Sequence, residues 1–298
     1  RRDLAEPCQG DVGEGGRSVA SKYEHWRAVR ELLERRAAEG GALPARRPLQ
    51  VAASIAQARD LLRRDGAFRL PAGAVDEQLV ARLDKWLLQK ADALVHYTVR
   101  KPRHRVHALL MPQDGSQHGD VGLALAQLLR ALNGVFEQAD GLVELAAFVV
   151  RVGAEAQELH ADRTEPGFVS CQLSLHGLAA AGAGGLALWP GTKTDGRALS
   201  ARWLEAEGLL EDTLGPLAAA PLERGAVVCY EGRTWHRGER HDGRAPARRA
   251  FYFTALQNPD RGDLRRLVGE VALHPKLRCA PLRSAPLLRL GDLAVVNS

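Results

Sequence analysis

The feature that most constrains this chain is a change of hydrophobic period after residue 138. Before it, apolar residues recur at helical spacing. Beyond it they alternate with polar ones: Val169, Cys171, Leu173 and Leu175 are interleaved with Ser170, Gln172 and Ser174. Such alternation puts successive side chains on opposite faces of a pleated strand. Segments 145–152, 156–160, 184–191, 218–222, 225–231 and 250–256 also read as short strands bounded by turn residues. Helices first and then many short strands predict an α+β chain built on a double-stranded β-helix, a cupin-like jelly roll with flanking N-terminal helices.

The upstream helices are placed by their caps and apolar stripes. Residues 1–20 are rich in glycine and charge and read as a disordered lead-in. Ser21-Lys22-Tyr23-Glu24 fits a capping box, Tyr23, Trp26, Val29, Leu32 and Leu33 share one face, and Gly40-Gly41 ends the helix. After a linker at 43–48, Ile55, Ala58, Leu61 and Leu62 mark a short helix, followed by a brief strand at 66–71. A long helix at 76–94 buries Leu79, Val80, Leu83, Trp86, Leu87 and Leu94. A strand at 106–111 and a helix at 119–138 complete this half. The chain thus divides into an N-terminal extension, 1–48, and one domain, 49–298, with a short helix near 201–207 in the insertion 192–216 and an irregular tail from Asn258.

Composition narrows the class. With 298 residues and 45% apolar content the chain can bury a sizeable core. No run approaches the roughly 20 apolar residues of a membrane span, and Arg1-Arg2-Asp3-Leu4 has no signal-peptide character. A cytoplasmic, intracellular protein with no membrane partner is expected, although the missing initiator Met leaves room for a removed targeting segment. Cys8, Cys171, Cys229 and Cys279 form no C-x-x-C pair and read as reduced thiols. The net charge of +5 comes almost wholly from arginine. Two clusters, Arg100 to Arg105 and the run Arg233, Arg237, Arg240, Arg244, Arg248 and Arg249, suit an anionic substrate or a phosphate backbone.

The chemistry concentrates at Gln157-Glu158-Leu159-His160-Ala161-Asp162 and at a single downstream His236. His160 and Asp162 follow an apolar stretch at i, i+2 spacing, which points both side chains the same way. Two imidazoles and one carboxylate hold one face of an octahedral ion and leave three positions open, the ligand pattern of non-heme Fe(II) oxygenases. Arg248 and Arg249 follow at the start of a strand, and an arginine fork suits a dicarboxylate's far end. Alternation puts Arg248, Ala250, Tyr252 and Thr254 on a mixed polar face and Arg249, Phe251 and Phe253 on an apolar one. Arg248 is therefore preferred, with Arg249 the alternative. Gln172 and Thr192 are further candidates for pocket lining. His176 is on the polar phase of its strand, His241 is expected in solvent, and His25, His96, His104, His107, His118 and His274 form no ligand spacing.

Several of these residues also carry a family likeness. Leu61-Leu62-Arg63-Arg64-Asp65-Gly66-Ala67-Phe68-Arg69-Leu70 before a long helix, His160-Ala161-Asp162, Trp189-Pro190-Gly191-Thr192, Leu222-Glu223-Arg224-Gly225-Ala226-Val227-Val228, His236 and Arg248 occur in an order that resembles the phytanoyl-CoA dioxygenase family. Gly184-Gly185-Leu186 with Gly225 and His236 also resembles prolyl-4-hydroxylase-like oxygenases. The first resemblance implies an Fe(II)/2-oxoglutarate-dependent dioxygenase with His160, Asp162 and His236 as metal ligands and Arg248 on the cosubstrate, consuming O2 and releasing succinate and CO2. It also implies hydroxylation or desaturation, since related halogenases replace the Asp162 position with a small residue. The segment Arg163-Thr164-Glu165-Pro166-Gly167 lacks the aromatic expected beside a fatty-acyl substrate.

Three readings follow. The first is an oxygenase acting on a small molecule, the second an oxygenase acting on a protein side chain or a nucleobase, and the third a non-catalytic cupin-like binding module. The complete ligand set with an arginine favours the first two. Oligomeric state and the prime substrate are not encoded in any readable motif.

Overall fold

The computed structural model describes residues 49–96, 103–115, 119–137, 140–157, 160–163, 166–177, 183–191, 222–257 and Leu290, with the backbone of 218–219. The N-terminal extension, the helix expected near 201–207, Thr192 and the tail other than Leu290 lie outside these residues. No helix among the described residues is long and apolar enough to cross a membrane.

In chain order the elements are α1 (Ile55–Asp65), β1 (Ala67–Leu70), α2 (Glu77–Lys90), β2 (Val95–His96), β3 (Arg105–Leu109), α3 (Asp120–Ala131), β4 (Gly141–Val150), β5 (Phe168–Ser174), β6 (Leu186–Trp189), β7 (Ala218–Ala219), β8 (Val227–Glu231), β9 (Trp235–Gly238) and β10 (Arg248–Leu256). The helix boundaries are chemical. Ser54 caps α1 through Gln57 N–H, and Gly66, at φ 76°, closes it by donating to the Leu62 carbonyl. Asp76 caps α2 through Leu79 N–H. Helix α3 ends before Asn133-Gly134, where Gly134 adopts φ 94°, so the expected helix over 119–138 is shorter although Leu132 and Phe136 remain buried.

All ladders between the named strands are antiparallel. One sheet runs β1-β8-β5-β10-β4-β3-β2 and the other β7-β6-β9. The larger sheet is two-faced. Its apolar phase, including Leu145, Val149, Val169, Leu173, Val227, Phe251 and Phe253, packs on Leu79, Leu83, Leu87, Leu125 and Leu128 of α2 and α3. Its opposite phase carries Arg105, His107, Glu144, Ser170, Gln172, Tyr230, Arg248, Tyr252 and Thr254. This polar phase faces the smaller sheet: Leu186 and Leu188 pack with Val228 and Tyr230, and Arg248 reaches the Gly184 carbonyl just before β6. The architecture is the jelly roll that the strand pattern predicts.

Two expectations are corrected. Where the stretch expected as a strand at 156–160 is described, Ala156 and Gln157 belong to no strand and His160 makes only an isolated bridge to His236. Gln157 N–H donates to the Gly238 carbonyl, but the Gly238 N–H is taken by the Gln157 side-chain oxygen (2.9 Å) in place of a backbone carbonyl. Cys171 and Cys229 are not free thiols. They are register partners on the helix-facing side of β5 and β8, with Cα atoms 4.1 Å apart, and are joined as a disulfide.

The helix-facing core generates a stability prediction. Phe253 is fully buried and packs against Phe136 at 5.3 Å between centroids. Phe253→Ala is expected to cost about 3–5 kcal/mol in urea denaturation, whereas Leu88→Ala, at a 64% exposed site on α2, should stay within about 0.5 kcal/mol.

Candidate metal centre

The centre is built on one backbone pairing. His160 N–H donates to the His236 carbonyl (2.9 Å) and His236 N–H to the His160 carbonyl (2.8 Å). A residue pair that exchanges both bonds presents its two side chains side by side on one face, and here the ring centroids are 4.5 Å apart. Asp162, two residues on, returns to the same side. Its Oδ1 lies 3.4 Å from His160 Nε2 and its Oδ2 3.2 Å from His236 Nε2. One ligand atom from each of the three falls within 4.8 Å of the others, the only such group of three or more His, Cys, Asp or Glu among the described residues.

Local chemistry fixes the orientation of each ligand. His236 Nδ1 donates to the Thr234 carbonyl (2.9 Å), which leaves the Nε2 lone pair for a metal. Thr234 is itself fully buried and anchored by its hydroxyl to the Gly66 carbonyl (2.9 Å). The turn before β9 is held tightly against the segment after Asp162: Arg163 N–H donates to the Gly232 carbonyl, and a Cβ at Gly232 would lie 2.8 Å from Arg163 Cγ. The histidine side chains are 10% and 5% exposed, while Asp162 is 42% exposed, so the site opens past the carboxylate. Burial favours the protonated Asp162, but with the imidazoles protonated the His236 charge and hydrogen bonds from both rings outweigh it and hold the carboxyl well below its usual range; with neutral imidazoles a metal would supply that positive charge.

From His236 a polar track leads inward. The Tyr230 ring lies tilted against the His236 ring (4.7 Å between centroids), Gln172 Nε2 donates to the Tyr230 hydroxyl (3.3 Å), and Arg248 Nη2 donates to Gln172 Oε1 (2.7 Å). Arg248 is buried and meets no carboxylate among the described residues. Burial first, then the like charge of Arg105, pull its guanidinium down to about 10, against a smaller opposing effect of Tyr230. Arg249 is on the other face of β10, where its fork grips Asp84 of α2 (2.5 and 3.1 Å). The structure thus brings His160, Asp162, His236, Gln172 and Arg248 to one interior and turns Arg249 toward the helices.

Sequence reasoning missed four things here. His236 is in a strand of its own, β9, which Gly238 and the flanking arginines disguised as loop. Thr234, two residues before the histidine, supplies its orienting carbonyl. His241, expected in solvent, is buried: Nε2 donates to the Pro246 carbonyl and Nδ1 accepts from Gly243 N–H. A second polar network lines the same interior, in which the Tyr252 hydroxyl joins His107 Nε2 (2.5 Å) and Glu144 (2.6 Å), and the Thr254 hydroxyl joins Glu144 (2.8 Å) and Ser170 (2.8 Å). Burial, reinforced by the negative charge of Glu144, raises Tyr252 well above its usual value and keeps it a donor. The lone acid in the apolar run of β4 was the available signal.

No family model and no curated protein matches the sequence. Solved structures do. The epimerase SnoN, in complex with Fe3+, alpha ketoglutarate and nogalamycin RO, is 15% identical over 79% of this chain and 96% of its own, with a TM-score of 0.55. HygX from Streptomyces hygroscopicus, with nickel and 2-oxoglutarate bound, is 15% identical over 68% of this chain and 87% of its own, with a TM-score of 0.52. The carbocyclase SnoK from nogalamycin biosynthesis is 15% identical over 71% and 87% of the two chains, with a TM-score of 0.50. At such identities the likeness concerns the fold: this chain has the jelly roll of solved structures named for alpha-ketoglutarate dependence or holding that cosubstrate.

Proposed function

We propose that the chain is an Fe(II)- and 2-oxoglutarate-dependent oxygenase that hydroxylates a C–H bond of a small molecule, within a working domain spanning 49–298 and of the kind the phytanoyl-CoA dioxygenase resemblance implies. The observation that carries the reading is the pairing of two sites in one interior: a two-histidine, one-carboxylate set, and a buried arginine with no carboxylate partner at the end of the Tyr230–Gln172 track. Two neutral imidazoles and one carboxylate are the donor set that suits iron while leaving positions for cosubstrate and O2. Such an ion, held by His160, Asp162 and His236, supplies activation of O2 coupled to conversion of 2-oxoglutarate into succinate and CO2, with the second oxygen atom delivered to the substrate C–H.

The residues of the chain supply the rest. Arg248 takes the distal carboxylate with its fork, and Gln172 holds that fork in place. Thr234 keeps His236 in the tautomer that can ligate. The Tyr230 ring covers one side of His236 and excludes water from the track; burial and the charges of Asp162 and Glu144 keep its phenol protonated. A small-molecule substrate is favoured by SnoN and HygX, whose structures hold nogalamycin RO and hygromycin B respectively.

Two outcomes test the reading. Anaerobic titration of the protein with Fe(II) and 2-oxoglutarate should produce a weak visible metal-to-ligand charge-transfer band that is lost in His160→Ala and His236→Ala; wild type without the band would refute the proposal. Arg248→Ala should weaken 2-oxoglutarate binding by about 2–5 kcal/mol, measured by anaerobic calorimetry, because a charged pair loses one buried member. Arg249→Ala should instead lower thermal stability and leave that affinity nearly unchanged.

A further inference from the structure

The inner face holds a second buried arginine. Arg105 of β3 and Arg248 of β10 are both register partners of Val150, one from each side. Their backbones are therefore two strand spacings apart, roughly 10 Å, well within the reach of two long side chains converging on one group. Arg105 is only 7% exposed. Its Nη2 donates to the carbonyls of Glu155 (2.5 Å) and Glu239 (3.0 Å), with Gly238 O at 3.4 Å. Its Nε is buried with no acceptor.

Neither guanidinium forms an ion pair among the described residues. The Glu239 charge reaches Arg105, but Glu239 Oε1 is engaged by Arg237 Nε (2.9 Å). Glu144 is opposite Thr254, six residues along β10 from Arg248, and is held by Tyr252 and Thr254. Two cations thus share one desolvated end of the barrel with no carboxylate in direct contact among the described residues, an arrangement that costs stability unless an anion joins them.

We infer that Arg105 is the second half of a two-arginine seat for the distal carboxylate of the cosubstrate. The inference rests on the oxygenase reading, with Arg248 as the first half. The free Nε–H supplies one further charge-assisted bond to a carboxylate oxygen. Arg105 has a second task as a positioning residue. Its carbonyl partners belong to the segment leading to His160 and to the residues just after His236, so one guanidinium ties together the two stretches that carry the metal histidines. Space for it is reserved at Gly238, where a Cβ would lie 2.9 Å from Arg105 Nη1.

The test compares 2-oxoglutarate with 2-oxovalerate, which has the same keto-acid end and chain length and no distal carboxylate. Dissociation constants are measured anaerobically on the Fe(II)-loaded protein for wild type, Arg105→Gln, Arg105→Lys and Arg248→Gln. Arg105→Gln is expected to cut the preference for 2-oxoglutarate by about thirtyfold, as a loss in 2-oxoglutarate affinity with 2-oxovalerate affinity little changed. Arg105→Lys, which keeps the charge but not the fork, should cut it by about tenfold and serves as the deciding variant if Arg105→Gln does not fold. A folded Arg105 variant with the wild-type preference would show that Arg105 only pins backbone and would overturn the inference. Wild type that binds neither keto acid would instead overturn the oxygenase reading on which it rests.

Discussion

The two reciprocal hydrogen bonds between His160 and His236 are what the remainder of the site depends on. Each bond contributes only about 0.5–1.5 kcal/mol net, yet together they fix the distance between two imidazoles that come from distant parts of the chain. Everything nearby secures that pairing. Gln157 bonds Gly238 through both backbone and side chain, Arg163 bonds the Gly232 carbonyl, and Thr234 is fastened to Gly66 at the end of α1. The helical layer is thereby coupled to the candidate metal ligands, since the glycine that ends α1 also accepts from the threonine whose carbonyl orients His236.

The second organising principle is the division of labour across the large sheet. Its helix-facing side is apolar and supplies the packing that holds the fold together. Its inner side is polar, and polar groups in an interior are tolerable only when partnered. Most of them are: Glu144 with Tyr252 and Thr254, Gln172 with Arg248 and Tyr230. The arginine pair is hydrogen-bonded as well, Arg248 to Gln172 and Arg105 to backbone carbonyls, but neither guanidinium is ion-paired among the described residues, and that contrast is what the proposed anion seat rests on.

Much of this was legible in the sequence, for physical reasons. Alternation in β5 and β10 announces both the strands and their faces, and the same parity separates Arg248 from Arg249 in the sequence alone. His160-Ala161-Asp162 was legible because i, i+2 spacing survives in any extended segment. What escaped involved partners remote in sequence. The Cys171–Cys229 disulfide depends on the β5–β8 register, and His241 is buried by contacts that its Arg- and Gly-rich neighbourhood does not advertise. The strand expected at 156–160 fails at Gln157, whose side-chain oxygen takes the Gly238 N–H in place of a backbone acceptor, which no hydropathy pattern records. Arg105 reads in the sequence only as one member of a basic cluster, since composition cannot distinguish a solvated arginine from one enclosed between sheets.

The adjacency of Arg248 and Arg249 bears on how such a chain can diverge. Both are buried, on opposite sides of one strand, one toward the barrel interior and the other clasping Asp84. Inserting or deleting a single residue between Arg249 and Phe251 would put the arginines out of phase with the residues behind them, sending one set to the wrong face unless a bulge absorbed the change, as the irregularity at Thr254/Ala255 does further along. Length changes next to the two arginines are therefore costly, whereas in the connections between strands lengths can change without altering parity.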